Sequence, residues 1–162
     1  MKKTIYLAFL LLLLHACKKE DTTGSNNNTT NNPGNQPSKK ELLTARPWKY
    51  KSWVADPPVK DTAGMPVSDV LAYKPACERD DIIIFGANGN ANFDQGPTRC
   101  DSSQSQSEIS TWYFSNNESR LHIGQGAFTN IYTLDTITAD SMQWSFQTQS
   151  SVTHNHTVVF VH

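Results

Sequence analysis

Residues 80–94 read DDIIIFGANGNANFD, and this stretch decides the fold class. Ile82-Ile83-Ile84-Phe85 is a short β-branched and aromatic run, and Ala91-Asn92-Phe93 returns with apolar and polar side chains alternating. Between them lies Asn88-Gly89, the strongest two-residue hairpin signal, because both turn positions then need φ > 0. A turn centred on that pair opposes residues whose numbers sum to 177, and Cys77 and Cys100 meet this condition at the open end of the hairpin. A disulfide is expected between them. Closing such a loop is worth roughly 3–4 kcal/mol in the chain-entropy view. Metal binding by the pair lacks the Cys-x-x-Cys spacing that would support it.

Further strands follow at short intervals. Ser110-Thr111-Trp112-Tyr113-Phe114 turns at Asn116-Asn117 into Arg120-Leu121-His122-Ile123. Residues 128–137 form the next, Ser141-Met142-Gln143-Trp144-Ser145-Phe146 alternates strictly, and residues 157–161 close the chain. Upstream, residues 48–54 form a first strand and residues 67–73 a weaker one, for a total of about eight. The periodicity is two rather than 3.6. An all-β fold is expected, a single antiparallel up-and-down β-barrel, because the hairpins are local and a Greek key fits them less well. One short N-terminal helix precedes it: Ser38 caps Lys39-Lys40-Glu41-Leu42-Leu43, with Glu41 three residues on, and Pro47 stops it.

Strand alternation places Trp48 with Tyr50, Trp112 with Phe114, and Trp144 with Phe146 on common faces. These six are the candidate ligand-binding residues, for an apolar or glycan-like molecule stacked against aromatic faces. In a barrel of this size they fill the interior first and contact a ligand second.

The N-terminus reads as an export signal. Lys2 and Lys3 precede an apolar run over residues 5–14, too short to span a bilayer as a helix. Leu14-His15-Ala16-Cys17 then sets a small residue before a cysteine, the arrangement of a lipoprotein cleavage site. Residues 1–16 are therefore expected to be removed, leaving Cys17 lipidated and the protein anchored to a membrane without crossing it. Residues 17–38 contain Asn, Thr, Gly, Pro, Ser and Gln after a charged Lys18-Lys19-Glu20-Asp21, and read as a flexible tether. Residues 39–162 form the one folded domain, long enough to bury a core. From residue 41 onward eight Lys/Arg stand against thirteen Asp/Glu, a net charge of −5, which argues against a nucleic-acid partner and against electrostatic docking on anionic lipid.

Several of these features together resemble the lipocalin-like domain of Bacteroidetes lipoproteins. They are Leu42-Leu43-Thr44-Ala45-Arg46-Pro47-Trp48, Cys77-x-x-Asp80-Asp81-x-x-x-Phe85-x-x-x-Gly89 before Cys100, Thr111-Trp112 before a Leu-x-Ile strand, Tyr132-x-Leu134, and Met142-x-Trp144-x-Phe146. The resemblance covers residues 42–161 and departs from the family pattern at residues 55–71 and 101–107. It implies a small lipocalin-like barrel with no general catalytic activity. The tract after Cys17 is similar to that of surface-exposed lipoproteins of the same group, implying an outer-membrane anchor facing the surface or the periplasm.

Catalytic constellations are weak. His154-Asn155-His156 puts two imidazoles on one strand face, and a metal would need His122 or His162 as a third ligand. Glu78, Asp80 and Asp81 are the carboxylates available for glycoside chemistry, yet adjacent Asp80 and Asp81 on a strand point to opposite faces and cannot form the pair it needs. There is no Gly-x-Ser-x-Gly elbow, and the Gly-rich turns open no helix. The expectation is a protein with no catalytic residues, metal or cofactor. It binds a small ligand or, as a filled barrel, meets a protein partner.

Overall fold

The structure, a computed structural model, describes residues 36–162. The expected signal sequence, Cys17 and the tether through residue 35 lie outside the described residues. Helix α1 (Lys39–Thr44) begins with a capping box: Glu41 N–H donates to the Ser38 hydroxyl, and the Glu41 carboxylate accepts from Ser38 N–H at 2.7 Å. Its buried Leu43 accepts through its carbonyl from the Trp48 indole N–H at 2.9 Å. Lys39 Nζ donates to the Glu118 carbonyl at 3.0 Å, so the helix covers one end of the sheet structure that follows.

That structure comprises β1 (Trp48–Lys60), β2 (Pro66–Asp69), β3 (Ile82–Phe85), β4 (Asn90–Asp94), β5 (Ser107–Ser115), β6 (Arg120–Ile123), β7 (Asn130–Ile137), β8 (Ser141–Gln149) and β9 (Thr153–Val161). Strands β3 to β9 pair antiparallel in chain order, and β1 pairs with both β3 and β9. Eight strands thus close into an up-and-down antiparallel barrel. Strand β2 pairs only with β1 and stands outside the ring. Two short helices, α2 (Val70–Tyr73) and α3 (Ala76–Arg79), join β2 to β3.

The hairpin that decided the fold is present, one residue out of the expected register. Phe85 opposes Ala91 and Ile83 opposes Phe93, so opposed numbers sum to 176. The reason is in the turn. Gly89 N–H donates to the Gly86 carbonyl at 3.0 Å, and Gly89 alone of the turn residues has positive φ, 86°. A three-residue loop ending in a left-handed glycine replaces the two-residue turn. The Cys77–Cys100 disulfide is formed, with Cα atoms 5.2 Å apart, but not across the ladder. The ladder ends at Ile82 and Asp94, and Cys77 sits on α3. Gly96 packs against the Asp80 carbonyl so closely that any Cβ would collide with it, which brings the chain leading to Cys100 alongside α3.

Other boundaries also differ from expectation. Strand β1 runs to Lys60 through Pro57 and Pro58, so residues 55–60 are strand rather than insert. Phe128 lies in a 3-10 turn (Gly126–Phe128), 89% exposed, ahead of β7. The turn after β5 is made by Asn116, Asn117 and Glu118, all left-handed at φ of 52–58°. Asn tolerates that region better than most residues.

Two bulges set the interior. Between Tyr50 and Ser52 the β1–β9 register slips, leaving Lys51 unopposed; a second slip at Asp135 interrupts β7–β8. Each reverses which residues face inward. The buried floor contains Trp48, Phe85, Trp112, Leu121, Met142 and Phe160. Fully burying side chains of this size supplies roughly 1.5–3 kcal/mol each.

Replacing both Cys77 and Cys100 with Ala should destabilise the barrel by about 3 kcal/mol, from a loop closure spanning 23 residues. The check is the urea midpoint of the variant against the oxidised parent. A midpoint that does not move contradicts the assignment.

Candidate functional site

The register separates two ends of the barrel. At the end carrying α1, Trp48 opposes Ile83, and Phe114 lies one pair before the β5–β6 turn that Lys39 contacts. At the other end the inward-facing side chains are half-buried aromatics packed on the floor: Tyr50, Trp53, Phe93, Tyr132 and Phe146. Trp53 reaches this ring because the bulge at Lys51 turns it inward. Tyr132 stacks on Trp144 at 4.5 Å and meets Phe146 edge-on at 5.4 Å; Tyr50 packs on Phe160 at 4.9 Å. These are offset and edge contacts of the favourable kind.

Burial, the largest cause, pushes the Tyr50 phenol well above its ordinary range, followed by Tyr132 and the charges of Asp81 and Glu78. Burial alone raises Tyr132. Burial thus holds both phenols in the protonated, O–H form.

Beside Tyr50 and Phe93 opens a cavity of about 370 Å³. Its floor is Ile82 and Ile83, its outer wall Gln104, Ser105 and the Cys77–Cys100 bridge, and its rim Glu78, Asp81, Asp94 and Glu108. Burial raises the Asp81 carboxyl above its usual range, with the charges of Glu78 and Asp80 adding to it. Asp80 and Asp81 lie before β3, not on it. Asp80 closes α3 and accepts from Thr98 N–H at 3.1 Å, whereas Asp81 lines the cavity.

His154 and His156 share the inner face of β9, only 7% and 5% exposed. Trp53 N–H donates to His156 Nδ1 at 3.1 Å, so Nε2 carries the proton and donates to Thr148 Oγ1 at 2.9 Å. Phe146 stacks on the same ring at 4.6 Å. His154 Nδ1 donates to the Pro57 carbonyl at 2.9 Å. His122 faces outward, stacked on Tyr113 at 4.4 Å, and His162 packs on Trp48 at the opposite end. Among the described residues no third imidazole joins the pair, whose nitrogens are already engaged.

The six candidate ligand-binding residues therefore divide. Trp48, Trp112 and Trp144 are buried floor, at most 6% exposed. Trp48 and Trp112 anchor their N–H groups on the Leu43 and Gly86 carbonyls. Phe114 sits at the α1 end, and Tyr50 and Phe146 are at the open end. Trp53 lies outside those six, Glu78 and Asp81 enter from the sequence only as carboxylates weighed for glycoside chemistry, and Phe93, Tyr132, Asp94 and Glu108 are not among the sequence-derived candidates. Alternation around Phe93 and Tyr132 carried the signal for those two; nothing local marks the bulge that recruits Trp53.

No family model matches this chain, and no curated protein matches it.

Burial and the neighbouring His154 lower the basicity of His156 in the fold. The unfolded chain, with a histidine pKa near ~6.5, takes up the proton first as pH falls. This stability is complete above about pH 6.5 and declines below it, the protonated ring also losing the Trp53 bond. The urea midpoint should drop between about pH 7.5 and 5.5, and His156→Gln should flatten that drop. An equally steep decline in the variant contradicts the assignment.

Proposed function

We propose that this protein is a lipid-anchored lipoprotein with a lipocalin-like domain, of the kind found in Bacteroidetes, whose open barrel end binds a small apolar or glycan-like molecule without chemical conversion. The observation that carries the reading is the ring of half-buried aromatics above a filled floor, with burial keeping the Tyr50 and Tyr132 phenols in the O–H form. Flat apolar faces with two hydroxyls suit a ligand that stacks and hydrogen-bonds. Among the described residues no helix is long and apolar enough to cross a membrane, so attachment in this reading runs through lipid on Cys17. An outer-membrane position, facing the surface or the periplasm, follows from the same reading. The tether would hold the barrel some tens of Å from the bilayer.

A second reading is a filled barrel that meets a protein through its outside. Ile84 and Ile109, in one cross-strand row, and Tyr113 and Ile131, in another, are exposed on the outer wall. Nucleic acid is not a partner in either reading.

N-phenyl-1-naphthylamine added to the purified protein should brighten, shift to the blue and saturate at about one probe per barrel. A flat titration, together with a bare polypeptide mass in native mass spectrometry of protein from its own host, sinks the binding reading. Independently, Cys17→Ala should abolish palmitate labelling; undiminished labelling refutes the anchor.

A further inference from the structure

The rim of the mouth cavity has a sign. Among the described residues its lining contains four carboxylates, from Glu78 on α3, Asp81 before β3, Asp94 on β4 and Glu108 on β5, and no lysine, arginine or histidine. Their partners leave much of that charge in place. Asp94 accepts from Gly96 N–H at 2.8 Å and from the Gln106 amide at 2.9 Å, both neutral. Glu78 pairs with Lys74, and among the described residues no ion pair involves Asp81 or Glu108. Partial burial first, and then the like charges of Glu78 and Asp80, raise the Asp81 carboxyl, with Lys74 acting against them.

The chain itself shows which ligand charge the rim accepts. Lys74 places its ammonium 5.3 Å from the centroid of the Trp53 ring while bonding the Glu78 carboxylate. An ammonium held between an aromatic face and a carboxylate is thus already seated at this end of the barrel. Deeper in, Tyr50 and Phe93 offer aromatic surface beside Asp81 and Glu108, with no cation among the described lining residues to fill the position.

We infer that the mouth selects ligands carrying a positively charged amine on a compact apolar body, with the body against Tyr50, Phe93 and Ile83 and the ammonium toward Asp81 and Glu108. This rests on the reading of the open end as a binding cup and narrows its ligand class. A carboxylate or phosphate in the same place would face the like charges of Asp81, Asp94 and Glu108, which Lys74 does not pair, and a neutral ligand would leave them unneutralised. A volume of about 370 Å³ suits a one- or two-ring amine rather than a long-chain lipid.

Three probes of one shape test this on the full chain by isothermal calorimetry: 1-naphthylmethylamine as the cation, 1-naphthylmethanol as the neutral form and 1-naphthoate as the anion. The cation should bind roughly tenfold more tightly than the alcohol, and the anion more weakly than either. In Asp81→Asn/Glu108→Gln the cation-to-neutral affinity ratio should fall toward one. If that variant fails to fold, the parent protein decides, since the cation's advantage must shrink as salt is raised. An alcohol that binds as well as the amine, or a naphthoate that binds best, overturns the inference while leaving the cup intact. Binding of none of the three overturns both.

Discussion

Closure of the ring through β1 is the constraint on which the rest of this structure depends. Strand β1 pairs with β3 over its first residues and with β9 over most of its length, and α1 docks on it through the Trp48 indole and the Leu43 carbonyl. A closed ring leaves no unpaired edge between its first and last strands and encloses the floor. The Lys51 bulge lies within that closure. It changes the parity of β1, so one strand sends Trp48 and Tyr50 inward below the slip and Trp53 and Ala55 inward above it. Without that slip Trp53 would face out, and His156 would lose the donor that sets its tautomer.

The division of labour along the barrel axis follows from the same geometry. Toward α1 the interior is closed by Leu43 and by Trp48 and Trp112, whose indole N–H groups are satisfied by backbone carbonyls. Toward the other end, the walls formed by β8, β9 and β1 outrun the shorter β3, β4 and β6, and the disulfide-linked α3 and residues 95–106 wall the opening that results. Tyr50, Phe93 and the four carboxylates converge there.

The sequence made the barrel legible where interactions are local. The hairpin at residues 82–94, the turn at Asn116-Asn117, the strict alternation of β8 and the pairing of the two cysteines each leave a short-range mark. The one-residue register error arose because Gly89 alone takes the left-handed conformation, which a dipeptide reading cannot distinguish from a turn sharing it with Asn88. Prolines 57 and 58 hid the upper half of β1, since they read as strand breakers. Half of the site was hidden for a different reason. The rim carboxylates come from segments up to 30 residues apart, brought together by ring closure and the bridge, and no periodicity or motif records such convergence.

The central claim is that ligands enter one end of the barrel and leave the floor undisturbed. The four tryptophans report on it directly, because each indole N–H gives its own signal in a ¹⁵N–¹H correlation spectrum. During a titration with N-phenyl-1-naphthylamine, the account predicts that the Trp53 indole signal moves while those of Trp48 and Trp112, bonded to the Leu43 and Gly86 carbonyls, stay in place. Movement of Trp48 and Trp112 with Trp53 unchanged, or no movement in any of the four, contradicts it.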